Sequence, residues 1–154
     1  MRTNVNDIVN GTLTLERHIN APIAAVWDAY VDPAKRVRWS VPAGEAMVYE
    51  ETHFSERGRD RYRCGPPETL NFHADVEYSK IVPQALIVYT ETVRTAGQPL
   101  TAGVLTWEFG PTDGGVLVKI TSQLVSFVGQ RMIDGNRNGH TTALEQFSKF
   151  LVRV

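Results

Sequence analysis

Residues 129–154 read GQRMIDGNRNGHTTALEQFSKFLVRV. Met132, Asn136, His140, Ala143, Leu144, Phe147 and Leu151 recur there at the three-and-four spacing of one helical stripe. The stretch is therefore predicted to be a long C-terminal helix with one buried face. Gly135 and Gly139 weaken its first half by about 1 kcal/mol each relative to alanine. Tight packing on a neighbouring sheet is the simpler reason for keeping them, and close approach of a backbone or ligand is the other. Asn136 and His140 interrupt the apolar stripe one turn apart, so each is expected to be hydrogen-bonded, hydrated or facing a cavity.

A helix with one apolar stripe needs a partner surface, and the preceding residues supply strands. Leu70 to Ile81 alternates, with Leu70, Phe72, Ala74, Val76 and Tyr78 on one side and Asn71, His73, Asp75, Glu77 and Ser79 on the other. Thr12 to Ile19 alternates in the same way. Strand character also marks Ala46 to Phe54, Arg59 to Gly65, Ala85 to Arg94, Gly103 to Phe109 and Gly115 to Phe127. Gly65-Pro66-Pro67, Pro83, Ala96-Gly-Gln-Pro99 and Pro111 to Gly115 are the turn signals between them. After the first strand, Asn20-Ala-Pro22 opens a short helix over Ile23 to Val31, Asp32-Pro33 ends it, and Ala34 to Trp39 adds a second helical piece. Strands in one run with helices segregated from them make an α+β domain. The expected architecture is a curved antiparallel sheet of about seven strands wrapped around the long C-terminal helix, with two short helices after the first strand.

Length and composition narrow the function. The 154 residues suit one domain, read as residues 12–154, with Met1 to Gly11 as a flexible polar leader that lacks the apolar core of a signal peptide. A formal net charge of -1 gives no electrostatic footprint for nucleic acid. No apolar run reaches the roughly 20 residues that span a bilayer, so no membrane insertion is expected. The lone Cys64 cannot form an intrachain disulfide, which fits a reducing, cytoplasmic setting. His18, His53, His73 and His140 are scattered, and no metal, phosphate-loop or nucleophile-elbow motif is present, so no metal or cofactor is expected.

The stretch Arg17-His-Ile-Asn-Ala-Pro22, followed by Val26-Trp27, Asp32-Pro33 and Trp39, resembles the opening of the START-like (SRPBCC) superfamily. It is most similar to the branch of homologues of the activator of the heat-shock-ninety chaperone ATPase. Asp60 to Gly65, Tyr78 to Pro83, Leu105 to Phe109, Gly114-Gly115 and Gly139 with Leu144, Phe147 and Leu151 match that branch in place and spacing. The resemblance implies a helix-grip fold with a cavity between sheet and C-terminal helix. Related members bind lipids, sterols, polyketides or plant hormones, and some are cyclases or aromatases. It supplies no universal catalytic residue. Gly65-Pro66-Pro67 stands where the branch often has a glycine-rich stretch, and makes that loop stiffer.

Strand parity then selects a candidate pocket. Trp39, Tyr49, His53, Tyr62, Phe72 and Trp107, with Met132, Asn136 and His140 from the helix, are the expected ligand-contacting set. Each of Tyr62, Phe72 and Trp107 taken singly reads better as core, and only the set points to a pocket; Trp39 either packs a short helix or gates the cavity mouth. Asp60 paired with Arg61 or Arg63, and Glu51 coupled to His53, are the charged alternatives. Three functions follow. The first is binding of a small hydrophobic or amphipathic molecule, with a cavity of at least a few hundred Å3. The second is a cyclase, dehydratase or hydrolase using Glu51, His53, Asp60 or His140 as acid and base. The third is a protein-interaction module with a filled cavity and an exposed apolar patch. A homodimer is compatible with a domain of this size, and no residue pattern specifies its surface.

Overall fold

The structure, a computed structural model, describes residues 4–152; the first three leader residues and Arg153 and Val154 lie outside it. Seven strands are formed: β1 (Val9–Ile19), β2 (Ala46–Glu51), β3 (Arg59–Gly65), β4 (Phe72–Val82), β5 (Leu86–Thr95), β6 (Gln98–Thr112) and β7 (Gly115–Ser126). The helices are α1 (Ile23–Val31), α2 (Pro33–Arg36) and α3 (Gln130–Val152). Every strand pairing is antiparallel, in the order β1-β7-β6-β5-β4-β3-β2. The helix-grip architecture expected from the sequence is the one found.

Topology explains where a site can form. β1 and β2 are consecutive strands at opposite edges of the sheet, so the chain between them must cross its whole width. α1 and α2 make that crossing. Asp32 caps α2 by accepting the Ala34 N–H at 2.9 Å, and Pro33 fixes the first helical turn. Register shifts at Tyr49/Glu51, Tyr78/Lys80 and Val93/Arg94 bend the β2–β5 half of the sheet. The β5–β6 turn places Ala96 and Gly97 both at positive φ, as a type I′ hairpin requires.

α3 packs on β1, β7 and α1. Ala143, Leu144, Phe147 and Leu151 join Ile19, Val116, Val118, Ile120, Leu105, Trp107 and Phe109 in one buried core. Its N-terminal half makes a second, smaller cluster through Ile133, Leu13 and Leu124. β1 starts at Val9, so residues 9–11, read from sequence as leader, are paired strand: Asn10 lies opposite Val125 and Gly11 opposite Leu124. Leu70, expected to begin β4, sits in the preceding turn at a φ of 43°.

Candidate functional site

The inward parity of β3, β4 and β5 places Asp60, Val76 and Glu91 side by side across three neighbouring strands. An aspartate in that row needs a counter-charge, and α2 delivers it. Arg36 is 6% exposed and Asp60 2%, and they form an ion pair of 3.0 Å. Arg36 Nε donates to the Tyr30 carbonyl at 2.6 Å and Nη2 to the Val31 carbonyl at 3.2 Å, anchoring the guanidinium to the end of α1. Nη1 also donates to the Tyr49 hydroxyl at 2.8 Å and the Tyr78 hydroxyl at 3.3 Å. Tyr78 in turn donates to Asp60 Oδ2, and the His53 backbone N–H donates to Oδ1 at 3.1 Å. The Arg36 guanidinium lies 4.8 Å from the Tyr30 ring centre and 5.3 Å from that of Tyr49. The pair is thus hydrogen-bonded on all sides, which is what a buried ion pair requires if it is to offset its desolvation.

Beside this network lies a small inner chamber of about 100 Å3, walled by aromatic side chains from the sheet and α1 and by His140 and Ala143 of α3. It adjoins an outer groove of about 270 Å3 lined by Cys64, Phe72, Val93, Met132, Gly135 and Gly139. Ser40, Glu91 and His140 line both, and so mark the neck between them. Glu91 Oε2 accepts from the Tyr62 hydroxyl at 2.6 Å. Burial pushes the Glu91 carboxyl up, and the Tyr62 hydrogen bond opposes that rise. His140 is half-buried as a residue, yet its ring is enclosed enough that burial holds the imidazole down at about 4. The imidazole is neutral at pH 7, with one N–H donor and one acceptor nitrogen, and no described residue hydrogen-bonds to it. Burial also raises the Tyr62 and Tyr89 phenols well above their ordinary value, so both stay protonated.

The structure places eight of the nine expected site residues around these two spaces. Trp39, Tyr49, Tyr62, Trp107 and His140 wall the chamber, and Phe72, Met132, Asn136 and again His140 line the groove. Trp39 is a fixed wall rather than a gate: it is 2% exposed, stacks on Phe147 at 4.0 Å, and donates its indole N–H to the Ala29 carbonyl. Asn136 finds its partner in the buried Ser122 hydroxyl, which donates to Asn136 Oδ1 at 2.9 Å. His53 is the exception. β2 ends at Glu51 after the register shift, so His53 lies exposed in the following loop and contributes its backbone alone. The Glu51–His53 couple therefore does not form in the cavity. Asp60 pairs with Arg36 and not with Arg61 or Arg63; Arg61 faces Asp75 at 3.3 Å on the outer side of the sheet. Tight packing does not explain Gly135 and Gly139, because a Cβ at either would meet nothing within 4 Å.

Arg36, Tyr89 and Glu91 were not singled out from sequence. Arg36 sits in a four-residue helix, too short for periodicity to mark its buried side. Glu91 did carry a signal: it shares the inward parity of β5 with Ile87, Tyr89 and Val93, and is the one charge in that row. Among the described residues, no three His, Cys, Asp or Glu side chains converge as a metal-ligand set, and no helix is long and apolar enough to cross a membrane.

The fold has relatives. The chain is similar over 96% of its length, and 97% of the other's, to a protein of solved structure from Rhizobium leguminosarum, with 29% identity and a TM-score of 0.86. It is similar to Mll3558 from Rhizobium loti at 25% identity, with 94% and 99% of the two chains covered and a TM-score of 0.82. DynU16, encoded in the dynemicin biosynthetic locus, shares the fold at 11% identity and a TM-score of 0.70, with 92% of this chain and 47% of that one covered. No curated protein matches the chain. Residues 20–152 match a family model described as Activator of Hsp90 ATPase homolog 1-like protein, and the chain belongs to that family, within the START-like superfamily.

Proposed function

We propose that the protein binds a small amphipathic molecule, with its polar end in the inner chamber and its apolar body in the outer groove. The observation that carries this reading is the neck. His140 lies between the two spaces without a hydrogen-bond partner among the described residues, and since none of their buried side-chain nitrogens or oxygens is left unpaired, its ring nitrogens open onto these spaces, where the polar end of a ligand can engage them. Gly135 and Gly139 support the same reading. They cost helix stability, contact no neighbour through a Cβ position, and leave the groove floor low where a ligand body would lie. Trp39, Tyr49, Tyr62 and Trp107 would then contact the polar end, and Phe72, Met132 and Asn136 the body. Together the spaces suit a compact ligand better than a long lipid.

A second reading rests on the same neck. Glu91, pushed up by burial, and His140, pushed down by it, are two titratable groups perturbed by desolvation at one cleft, which makes them candidates for acid–base roles. If a reaction occurs, Glu91, Tyr62 and His140 are its candidates in place of Glu51 and His53. The interaction-module reading finds less support: the exposed large apolar side chains are Val5 and Ile8 ahead of β1, Val48, Val82 and Val104 on the non-neighbouring strands β2, β4 and β6, and Val152 at the end of α3.

The test is thermal shift of the purified protein against a panel of compact aromatic and alicyclic amphiphiles, repeated with His140→Leu. A compound that binds only the folded state raises the midpoint with concentration. The expected result is a concentration-dependent rise for at least one class that His140→Leu diminishes. A flat response across the panel, with native mass spectrometry showing only the bare chain, would overturn the proposal.

A further inference from the structure

The chamber also constrains the charge of what enters it. Resting on the binding proposal above, we infer that the ligand's polar end is an organic ammonium group, held against Glu91 and the aromatic faces around it. Charge complementarity is the first reason. The one cation in the chamber wall, Arg36, is committed to Asp60, to two main-chain carbonyls and to two tyrosine hydroxyls. No other lysine or arginine lines either the chamber or the groove. With Arg36 and Asp60 cancelling, Glu91 is the remaining charge-bearing group at the neck. A carboxylate or phosphate would meet no free cation there and would face a carboxyl group at short range.

The hydrogen-bond inventory points the same way. Glu91 receives one donor, Tyr62, on Oε2, and no described residue donates to its other oxygen. Ser40 spends its proton on the Arg36 carbonyl at 2.6 Å, so its oxygen is left as an acceptor. Tyr62 and Trp107 spend theirs on Glu91 and on the Tyr89 hydroxyl. The free oxygen of Glu91 and the Ser40 hydroxyl oxygen are thus open acceptors at the neck, and a donating ligand can satisfy both.

Aromatic faces complete the set. Arg36 already occupies those of Tyr30 and Tyr49. Tyr62, Tyr89 and Trp107 still line the chamber, and Trp107 lies edge-on to His140 at 6.5 Å. Aromatic rings around a carboxyl group, with no competing free cation, are the environment in which an ammonium is held by charge and by cation–π attraction together. Neutral His140 adds one acceptor nitrogen and one N–H donor without adding charge.

Calorimetry with naphthylethylamine, naphthylethanol and naphthylacetate isolates the head group, because the three share one apolar body. The amine is expected to bind about tenfold or more tighter than the alcohol, and the acid most weakly. Glu91→Gln should remove the amine's advantage over the alcohol when both are measured on that variant. The wild-type ranking needs no variant, so it stands even if Glu91→Gln fails to fold. An acid or alcohol that binds as tightly as the amine would remove the ammonium inference and keep the binding reading. Amine affinity unmoved in a folded Glu91→Gln protein would remove it as well. No binding by any of the three would count against both.

Discussion

His140 offers a direct probe of the chamber through acid stability. Burial holds its imidazole at about 4 against an ordinary 6.5. The unfolded chain therefore takes up a proton at a pH where the folded protein does not. Stability from this group is complete above the unfolded value and is lost as pH falls through the interval between the two. At about 1.36 kcal/mol per unit, the loss approaches roughly 3 kcal/mol by pH 4, and is smaller to the extent that water reaches the ring from the groove. Carboxylates elsewhere also titrate in this range, so the comparison must be with a variant. In urea unfolding at steps from about pH 7.5 to about pH 4, His140→Phe should lose less stability than wild type, the gap opening below about pH 6.5. Nuclear magnetic resonance of the His140 ring should show no protonation until well below the ordinary histidine range. An imidazole that titrates near 6.5, or a gap that stays constant across the series, would show that the ring is not enclosed as described.

Arg36→Met leaves Asp60 buried without its partner and should cost about 3–5 kcal/mol in urea unfolding. Arg36→Met with Asp60→Leu removes both charges and should recover much of that loss; a double variant as unstable as the single one would mean that the pair matters for more than mutual neutralisation. Gly135→Ala and Gly139→Ala should each stabilise the protein by about 1 kcal/mol, since the new methyl meets nothing and the helix gains propensity. The same substitutions should weaken ligand binding by raising the groove floor. Destabilisation by either would point to a contact that the structure does not contain.

Much of the fold was legible because it rests on local pattern. The alternation of Phe72, Ala74, Val76 and Tyr78 and of Leu105, Trp107 and Phe109 gives the correct inner face without knowledge of neighbours. Ala143, Leu144, Phe147 and Leu151 likewise announce the buried stripe of α3. The site was legible only where it inherits that parity. Tyr62 and Trp107 follow from their strands, and His140 from its interruption of a stripe. Arg36 does not, because its burial is decided by Asp60, 24 positions away, and by the crossing of α1 and α2 over the sheet. His53 was misplaced because a register shift ended β2 before it, and such a shift leaves no mark in a run of alternating residues. The inner chamber is also smaller than the few hundred Å3 expected, since seven tyrosine and tryptophan side chains and the Arg36 network fill much of the space between sheet and helix.

The most direct measurement is a two-dimensional amide and indole spectrum of the protein during titration with a compound that raises its melting midpoint. Binding as proposed should move the Gly135 and Gly139 amides, which line the groove, together with the Trp107 indole and the His140 ring at the neck. The Val48 and Val104 amides on the outer side should stay still. Shifts confined to the outer sheet surface, with the neck unmoved at saturation, would contradict the assignment of this cavity as the binding site.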